Sequence, residues 1–306
     1  MKIDLQIHTN HSDGHESPAE IITLAKEGKL DVIAVTDHDI VSGFLETKEA
    51  GSSENIMVIP GVEITTGYRD QPIHVLGYQI DIANPELVDF LHSVNEYRKS
   101  HFVSMIGQVN LNLSEHGMQT VSIEEYKNKS PKYYSIPGIA LFLYEQNIVQ
   151  GRNDGFAYIN GVVDVAPTIE PKEAFEIIHK AGGKAFLSHP FAPRISLKNI
   201  SEDTLEQEKI ILAFKESGMD GLECFGTGHA PEDVEFALML ADKHSLLISA
   251  GSDWHGCLEK TGETIKQWLP FYLKKIGDLE VPQDRVTQIL LGLNVEMIHL
   301  NSNQIL

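Results

Sequence analysis

Residues 171–190, PKEAFEIIHKAGGKAFLSHP, contain one whole repeating unit of the fold. The stretch 171–181 reads as a helix that Gly182-Gly183 ends. Residues 184–188 then read as a short buried strand, and the polar triplet Ser188-His189-Pro190 stands where the apolar run stops. Downstream the unit recurs: a helix over 203–217, a strand over 219–224, a helix over 231–244 and a strand over 246–250. Upstream, 3–8 and 31–36 read as strands. Between them Ser17-Pro18-Ala19-Glu20 forms a capping box with Pro at the first helical position, and this helix runs to Gly28. Residues 56–60 and 73–80 repeat the strand signal. Such alternation argues a mainly parallel sheet with helices outside. The 306 residues fit two domains or one α/β barrel.

The alternation lapses between 85 and 165. Residues 86–113 read as one long or broken helix, followed by shorter helical stretches at 122–128 and 138–147. The expected organisation is a barrel-like domain built from 1–96 and 166–306, interrupted by a small helical insertion at 97–165.

Composition narrows the function. The chain is 42% hydrophobic and 22% charged, ordinary for a globular protein. No run approaches the roughly 18 apolar residues of a membrane span, so no membrane association is expected. The N-terminus MKIDLQIHTN lacks the apolar core of a signal peptide, so a cytoplasmic location is expected. Lys and Arg number 24 against 44 Asp and Glu, a net charge of −20. That field repels polyanions and argues against binding duplex DNA. A small anionic substrate remains compatible, because bound metal ions reverse the local field. Cys224 and Cys257 are too few for a disulfide framework and read as reduced, buried thiols. Nothing in the sequence speaks to oligomeric state.

The informative pattern is where His, Asp and Glu fall. His8 ends the first strand and Asp13 lies in the loop beyond. Thr36-Asp37-His38-Asp39 ends the second and Gly61-Val62-Glu63 the third. His74 opens the fourth. Ser188-His189-Pro190 and Ser252-Asp253-Trp254-His255 end two more. Taken singly, each could be an ordinary turn or a satisfied histidine. Strand ends of parallel α/β folds converge on one rim, however, where active sites collect. Imidazoles and carboxylates together suit Zn, Mn or Fe.

These residues resemble the PHP (polymerase and histidinol phosphatase) family. The resemblance rests on Asp4-Leu5-Gln6-Ile7-His8-Thr9, Ser12-Asp13-Gly14, Thr36-Asp37-His38-Asp39, Pro60-Gly61-Val62-Glu63-Ile64, His74-Val75-Leu76-Gly77, Ser188-His189-Pro190 and Gly251-Ser252-Asp253-Trp254-His255-Gly256. It is nearest the branch of nucleoside 3′,5′-bisphosphate phosphatases and 5′-to-3′ exoribonucleases. It implies a distorted (β/α)7 barrel with a helical insertion and two to three divalent ions (Mn, Zn or Fe, with Mg as a further candidate). By resemblance, His8, Glu63, Asp253 and position 6 would hold one ion. Glu63 as bridge, His74 and His189 would hold a second, and Asp13, His38 and His255 a third. Glu63, His189 and Asp253 would be catalytic. Ions held in this way activate water and neutralise phosphate oxygens. The implied substrate is small and phosphorylated, a nucleotide or short oligonucleotide.

The chain departs from the family pattern at two places. The family begins His-x-His, and this chain has Gln6-Ile7-His8, which makes Gln6 a weak amide ligand. Relatives carry Arg-Pro-His-Ile-Ala in the insertion, whereas this chain has Ile136-Pro137-Gly138-Ile139-Ala140, which leaves nucleotide specificity open. Arg194 stands where relatives place a phosphate-binding Arg; it reads either so or as solvated surface. His229 reads either as a substrate residue or as a loop residue before a helix that Pro231 starts. Asp37 and Asp39 read as turn residues or as carboxylates that orient histidine ligands. The competing readings are a partly degenerate module that binds metal and ligand without efficient catalysis, and a phosphatase for a non-nucleotide such as histidinol phosphate. A metal-dependent hydrolase of carbon–nitrogen bonds would want a strand-end Lys, and none of the clusters has one.

Overall fold

The apolar runs become seven strands in the computed structural model, which describes residues 1–159, 168–256 and 275–295. They are β1 (Ile3–Ile7), β2 (Val32–Val35), β3 (Met57–Tyr68), β4 (Gln71–Tyr78), β5 (Lys184–Leu187), β6 (Gly221–Gly226) and β7 (Leu247–Gly251). Every residue of β1 and β2 is buried, which is why these strands read as continuous apolar runs rather than alternating ones. The strands hydrogen-bond in sequence order from β1 to β7. A parallel bridge between Ile7 and Trp254 links the two ends. There His8 N–H donates to the Trp254 carbonyl (2.9 Å) and Trp254 N–H to that of Gln6 (3.2 Å). The result is a nearly closed seven-stranded barrel with helices outside, a distorted (β/α)7 barrel.

One strand runs against the rest. β4 is antiparallel to both β3 and β5, while the other ladders are parallel. A two-residue turn reverses the chain, with Arg69 and Asp70 at φ 50° and 59°, the backbone signs of a type I′ hairpin. β3 therefore extends well past the 56–60 run read from the sequence. The reversal also explains His74. A residue opening a parallel strand would sit at the far end of the barrel from the rim. In β4 the early residues lie at the rim, with His74 paired to Thr65.

Outside pack α1 (Pro18–Glu27), α2 (Gly43–Ser53), α3 (Pro85–Glu115), α4 (Ile123–Lys127), α5 (Ile136–Glu145), α6 (Phe156–Ile159), α7 (Pro171–Lys180), α8 (Leu197–Ile200), α9 (Thr204–Glu216), α10 (Pro231–His244) and α11 (Gln283–Gly292). α7 shows the packing logic. Pro171, Ala174, Phe175, Ile177 and Ile178 are buried at helical spacing, and burying Phe175 alone is worth about 1.5–3 kcal/mol. α2 gives no comparable signal. Ser42 makes no side-chain cap, and few of its side chains are buried.

α3 is one continuous helix of 31 residues. Its first turns carry Leu87 and Leu91 into the barrel core. Its later turns carry Phe102, Met105, Ile106, Val109 and Leu113 into a second core shared with α4, α5 and α6. The sequence-derived division at 96/97 falls inside this helix, and the one at 165/166 lies outside the described residues. Cys224 is buried and reduced, whereas Cys257 also lies outside the described residues.

Candidate metal centre at the barrel rim

Each polar cluster is carried to the rim by its strand. His8 follows β1, His38 pairs as a bridge with Glu63 of β3, His189 follows β5, and Asp253 and His255 follow β7. Asp13 reaches the site on a loop that Asp37 holds down. Its carboxylate accepts from Thr9 N–H (2.7 Å), Thr9 Oγ1 (2.8 Å) and Ser12 Oγ (2.6 Å). Gly14 is required there, since a Cβ would stand 2.3 Å from the His8 carbonyl. His189 and Asp253 adopt φ 28° and 55°, sparsely populated for side-chain-bearing residues and typical of functional positions.

Glu63 is the centre of the arrangement, and its two oxygens differ. Oε1 accepts from Ser188 Oγ (2.7 Å) and Gln6 Nε2 (3.0 Å) and pairs with His189 Nε2 (3.1 Å) and His74 Nδ1 (3.2 Å). Oε2 makes no hydrogen bond, although His8 Nε2 stands 3.0 Å away and His38 Nδ1 3.7 Å. His8 Nε2 also lies 3.2 Å from Asp253 Oδ1, and His255 Nε2 lies 3.3 Å from Asp13 Oδ1.

Among the described residues three groups of donor atoms mutually within 4.8 Å emerge: His8, Asp13, His38 and His255; His38, Glu63 and His74; and His8, Glu63 and Asp253. His8 Nδ1 and Nε2, Asp13 Oδ1, His38 Nδ1, Glu63 Oε2 and His189 Nδ1 are buried without hydrogen-bond partners. Buried polar atoms so rarely go unpaired that this convergence of lone pairs fits divalent cations. His8, His38 and Glu63 each belong to two groups, so the groups share ligands. His189 touches Glu63 but joins none of the three.

The electrostatics are those of interlocked opposite charges. Burial pushes Glu63 up, but His38, His74 and His189 outweigh it and hold the carboxyl well below its usual range. Burial acts likewise on Asp13 and is overcome by His255 and His38. Asp253 is held at about 2 against burial, by His255 and His8. Burial, helped by His8 and His74, sends His38 well down despite Asp13 and Glu63. His8 is held well above its usual value despite burial, by Asp253 and Glu63.

Several contributors carry no signal at a strand end. Glu223, within β6, accepts His189 N–H (2.7 Å) through Oε2, and burial lifts its pKa well above the usual range. Gly251 makes room for it, because a Cβ there would lie 2.3 Å from Gln6 Cβ and 2.8 Å from Glu223 Oε1. Asp4, buried in β1, is raised to about 6, chiefly by burial. The Asp39 carboxylate turns to Thr65 and Arg98 rather than to a histidine. It accepts from Thr65 N–H (2.7 Å), Thr65 Oγ1 (2.8 Å) and Arg98 Nη1 (2.7 Å).

The remaining candidates are placed differently. Gln6 turns its amide nitrogen toward Glu63 and Ser188, and its Oε1 is buried without a partner. Arg194 is exposed in the loop before α8. His229 is buried, with Nδ1 3.2 Å from the Cys224 carbonyl and Nε2 accepting Phe191 N–H at 3.3 Å. Both ring nitrogens are thus engaged by backbone, and burial chiefly lowers its pKa to about 4.

A family model described as PHP domain matches residues 4–218. The 5′-3′ exoribonuclease Rnm of Escherichia coli is 29% identical over 291 residues, 92% of this chain and 94% of the relative. The 3′,5′-nucleoside bisphosphate phosphatase of Chromobacterium violaceum is 28% identical over 259 residues, 83% and 87% of the two chains. Among solved structures, a proposed metal-dependent phosphoesterase from Bifidobacterium adolescentis superposes with a TM-score of 0.74 at 26% identity, covering 97% of this chain and 98% of that one.

Proposed function

The chain belongs to the PHP domain family and is a metal-dependent hydrolase of phosphoric esters; we propose that its substrate is the phosphate ester of a nucleotide or short oligonucleotide. The observation that carries the reading is the convergence of seven imidazole and carboxylate side chains on one rim, with His189 beside Glu63 and buried atoms of His8, Asp13, His38, Glu63 and His189 left unpaired. His8, Asp13, His38, Glu63, His74, His189, Asp253 and His255 would hold two to three divalent ions, with Gln6 a weak ninth contributor. Such ions activate water and neutralise phosphoryl oxygens. Relatives on both sides of the nucleotide reading share the phosphoester: one is named for RNA and another for a nucleoside bisphosphate.

Glu63, His189 and Asp253 are the proposed catalytic residues. Glu63 stands between the ligand groups and orders them. Glu223 fixes the His189 backbone, which holds its ring beside Glu63. Arg194 would meet substrate phosphate from the loop after Ser188-His189-Pro190, where a guanidinium can bind it bidentately. Residues 97–165 are the proposed insertion that selects the organic part of the substrate. His229, with both nitrogens on backbone, would hold the chain after His189 in place rather than bind substrate directly.

The test, with Mn²⁺ added, is phosphate release from mononucleotides and nucleoside 3′,5′-bisphosphates and mononucleotide release from short RNA. Release from at least one, lost on chelation and in Glu63→Gln, is expected. Turnover of histidinol phosphate alone would overturn the nucleotide assignment, and no turnover of any ester would favour a binding module.

A further inference from the structure

Arg98 lies on α3 between the two cores, two turns beyond Leu91 and one turn before Phe102. Its side chain is buried, so its charge needs a partner. Nη1 donates to Asp39 Oδ2 (2.7 Å) and Nη2 to the Tyr134 carbonyl (2.8 Å). Asp39 is fully buried and adopts φ 54°. All its polar atoms are engaged: N–H on the Glu63 carbonyl (2.9 Å), the carboxylate on Thr65 and Arg98, and the carbonyl taking Asn95 Nδ2. Its sequence neighbour is His38. Tyr134 is followed at once by Ser135, the N-cap of α5. One guanidinium therefore ties the start of α5 to the loop that carries a metal ligand.

We propose that Arg98 is a positioning residue which, through Asp39, sets His38 against Glu63 and, through Tyr134, seats the α4–α5 region beside the metal centre. The proposal rests on the metal-centre reading. Without Arg98 the Asp39 carboxylate is buried beside hydroxyl and amide donors but no cation, and the strained backbone at Asp39 loses one of the contacts that hold it. His38, one residue away, then shifts from Glu63.

Mn²⁺ binding is titrated on metal-stripped wild type, Arg98→Met, Arg98→Lys and the double variant Arg98→Met/Asp39→Asn, alongside unfolding midpoints and kcat and KM for p-nitrophenyl phosphate. Arg98→Met should weaken at least one ion by about tenfold, the low end of what losing a direct contact to a metal ligand costs because Arg98 acts through Asp39, and lower kcat. Arg98→Lys should recover part of both. The double variant removes the orphaned charge, so its unfolding midpoint should recover while Mn²⁺ affinity stays low. Recovery of both together would reduce Arg98 to a stabilising residue and overturn the proposal, as would wild-type Mn²⁺ affinity in Arg98→Met. If Arg98→Met does not fold, the double variant carries the same decision. A wild type that binds no Mn²⁺ would instead sink the metal-centre reading itself, and this proposal with it.

Discussion

Gln6 is where one side chain separates this candidate metal centre from its family pattern. Its amide nitrogen sits on Glu63 Oε1, so it occupies an oxygen that a bridging carboxylate would otherwise offer. An imidazole at this position is a stronger ligand for borderline ions than an amide oxygen. Gln6→His should therefore retain metal to higher chelator concentration than wild type, read as ions per chain across a chelator titration. Equal retention would leave Gln6 as a hydrogen-bond donor to Glu63 and no ligand. His229 makes a second residue-level prediction. Its folded pKa of about 4 lies below the usual 6.5, so the unfolded chain takes up the proton first as pH falls. The stabilisation is complete above about 6.5 and is lost as pH falls toward 4, by roughly 2 kcal/mol between pH 7 and 5. His229→Asn should flatten that loss relative to wild type in denaturant titrations at the two pH values; an unchanged slope would reject it. The candidate rim ligands stand out in the sequence because they lie where apolar runs stop. Glu223 and Asp4 do not, because single acids inside buried strands look like interruptions of a pattern. Arg98 was hidden among the polar residues of a long helix.

At the scale of elements, strand and helix alternation was legible wherever glycines, caps and apolar runs agreed, as in α1, α7 and β5. The reversal of β4 was not. Its turn, Arg69-Asp70, lacks the Asn-Gly or Asp-Gly signature that usually announces a type I′ hairpin. α2 escaped because it is uncapped and mostly solvated. The continuity of α3 decides more than its length does. Each residue of an α-helix turns the chain by about 100° and advances it by about 1.5 Å. Deleting the exposed Glu96, between Leu91 and Arg98, would rotate everything beyond it by that angle relative to the barrel. Both cores should still form, so helical content by circular dichroism should be retained while phosphoesterase activity falls more than tenfold. Glu96→Ala, which keeps the count, should be near wild type. Equal activity in the deletion would show that α3 does not set the placement of the helical segment.

For the whole molecule, the −20 net charge, the buried acids and the near-closed barrel bear on one another. Among the described residues no helix is long and apolar enough to cross a membrane. Asp4, Glu63, Glu223 and Asp253 are all carried on barrel strands or their ends, and divalent ions at the rim would offset their mutual repulsion. Ions bound only by the folded chain add to its stability, so stripping with chelator should lower the unfolding midpoint by several degrees, and Mn²⁺ should restore it. The Ile7–Trp254 bridge gives this a location. β1 and β7 meet through a short contact instead of a full ladder, and His8 and Asp253 stand on either side of that join. An ion held by both would work as a rivet through a hoop, joining staves nearly the whole chain apart in sequence. When it is withdrawn, amide hydrogens along β1 and β7 should begin to exchange before those of β3 and β4, whose twelve- and eight-residue strands are laced together along a full hairpin.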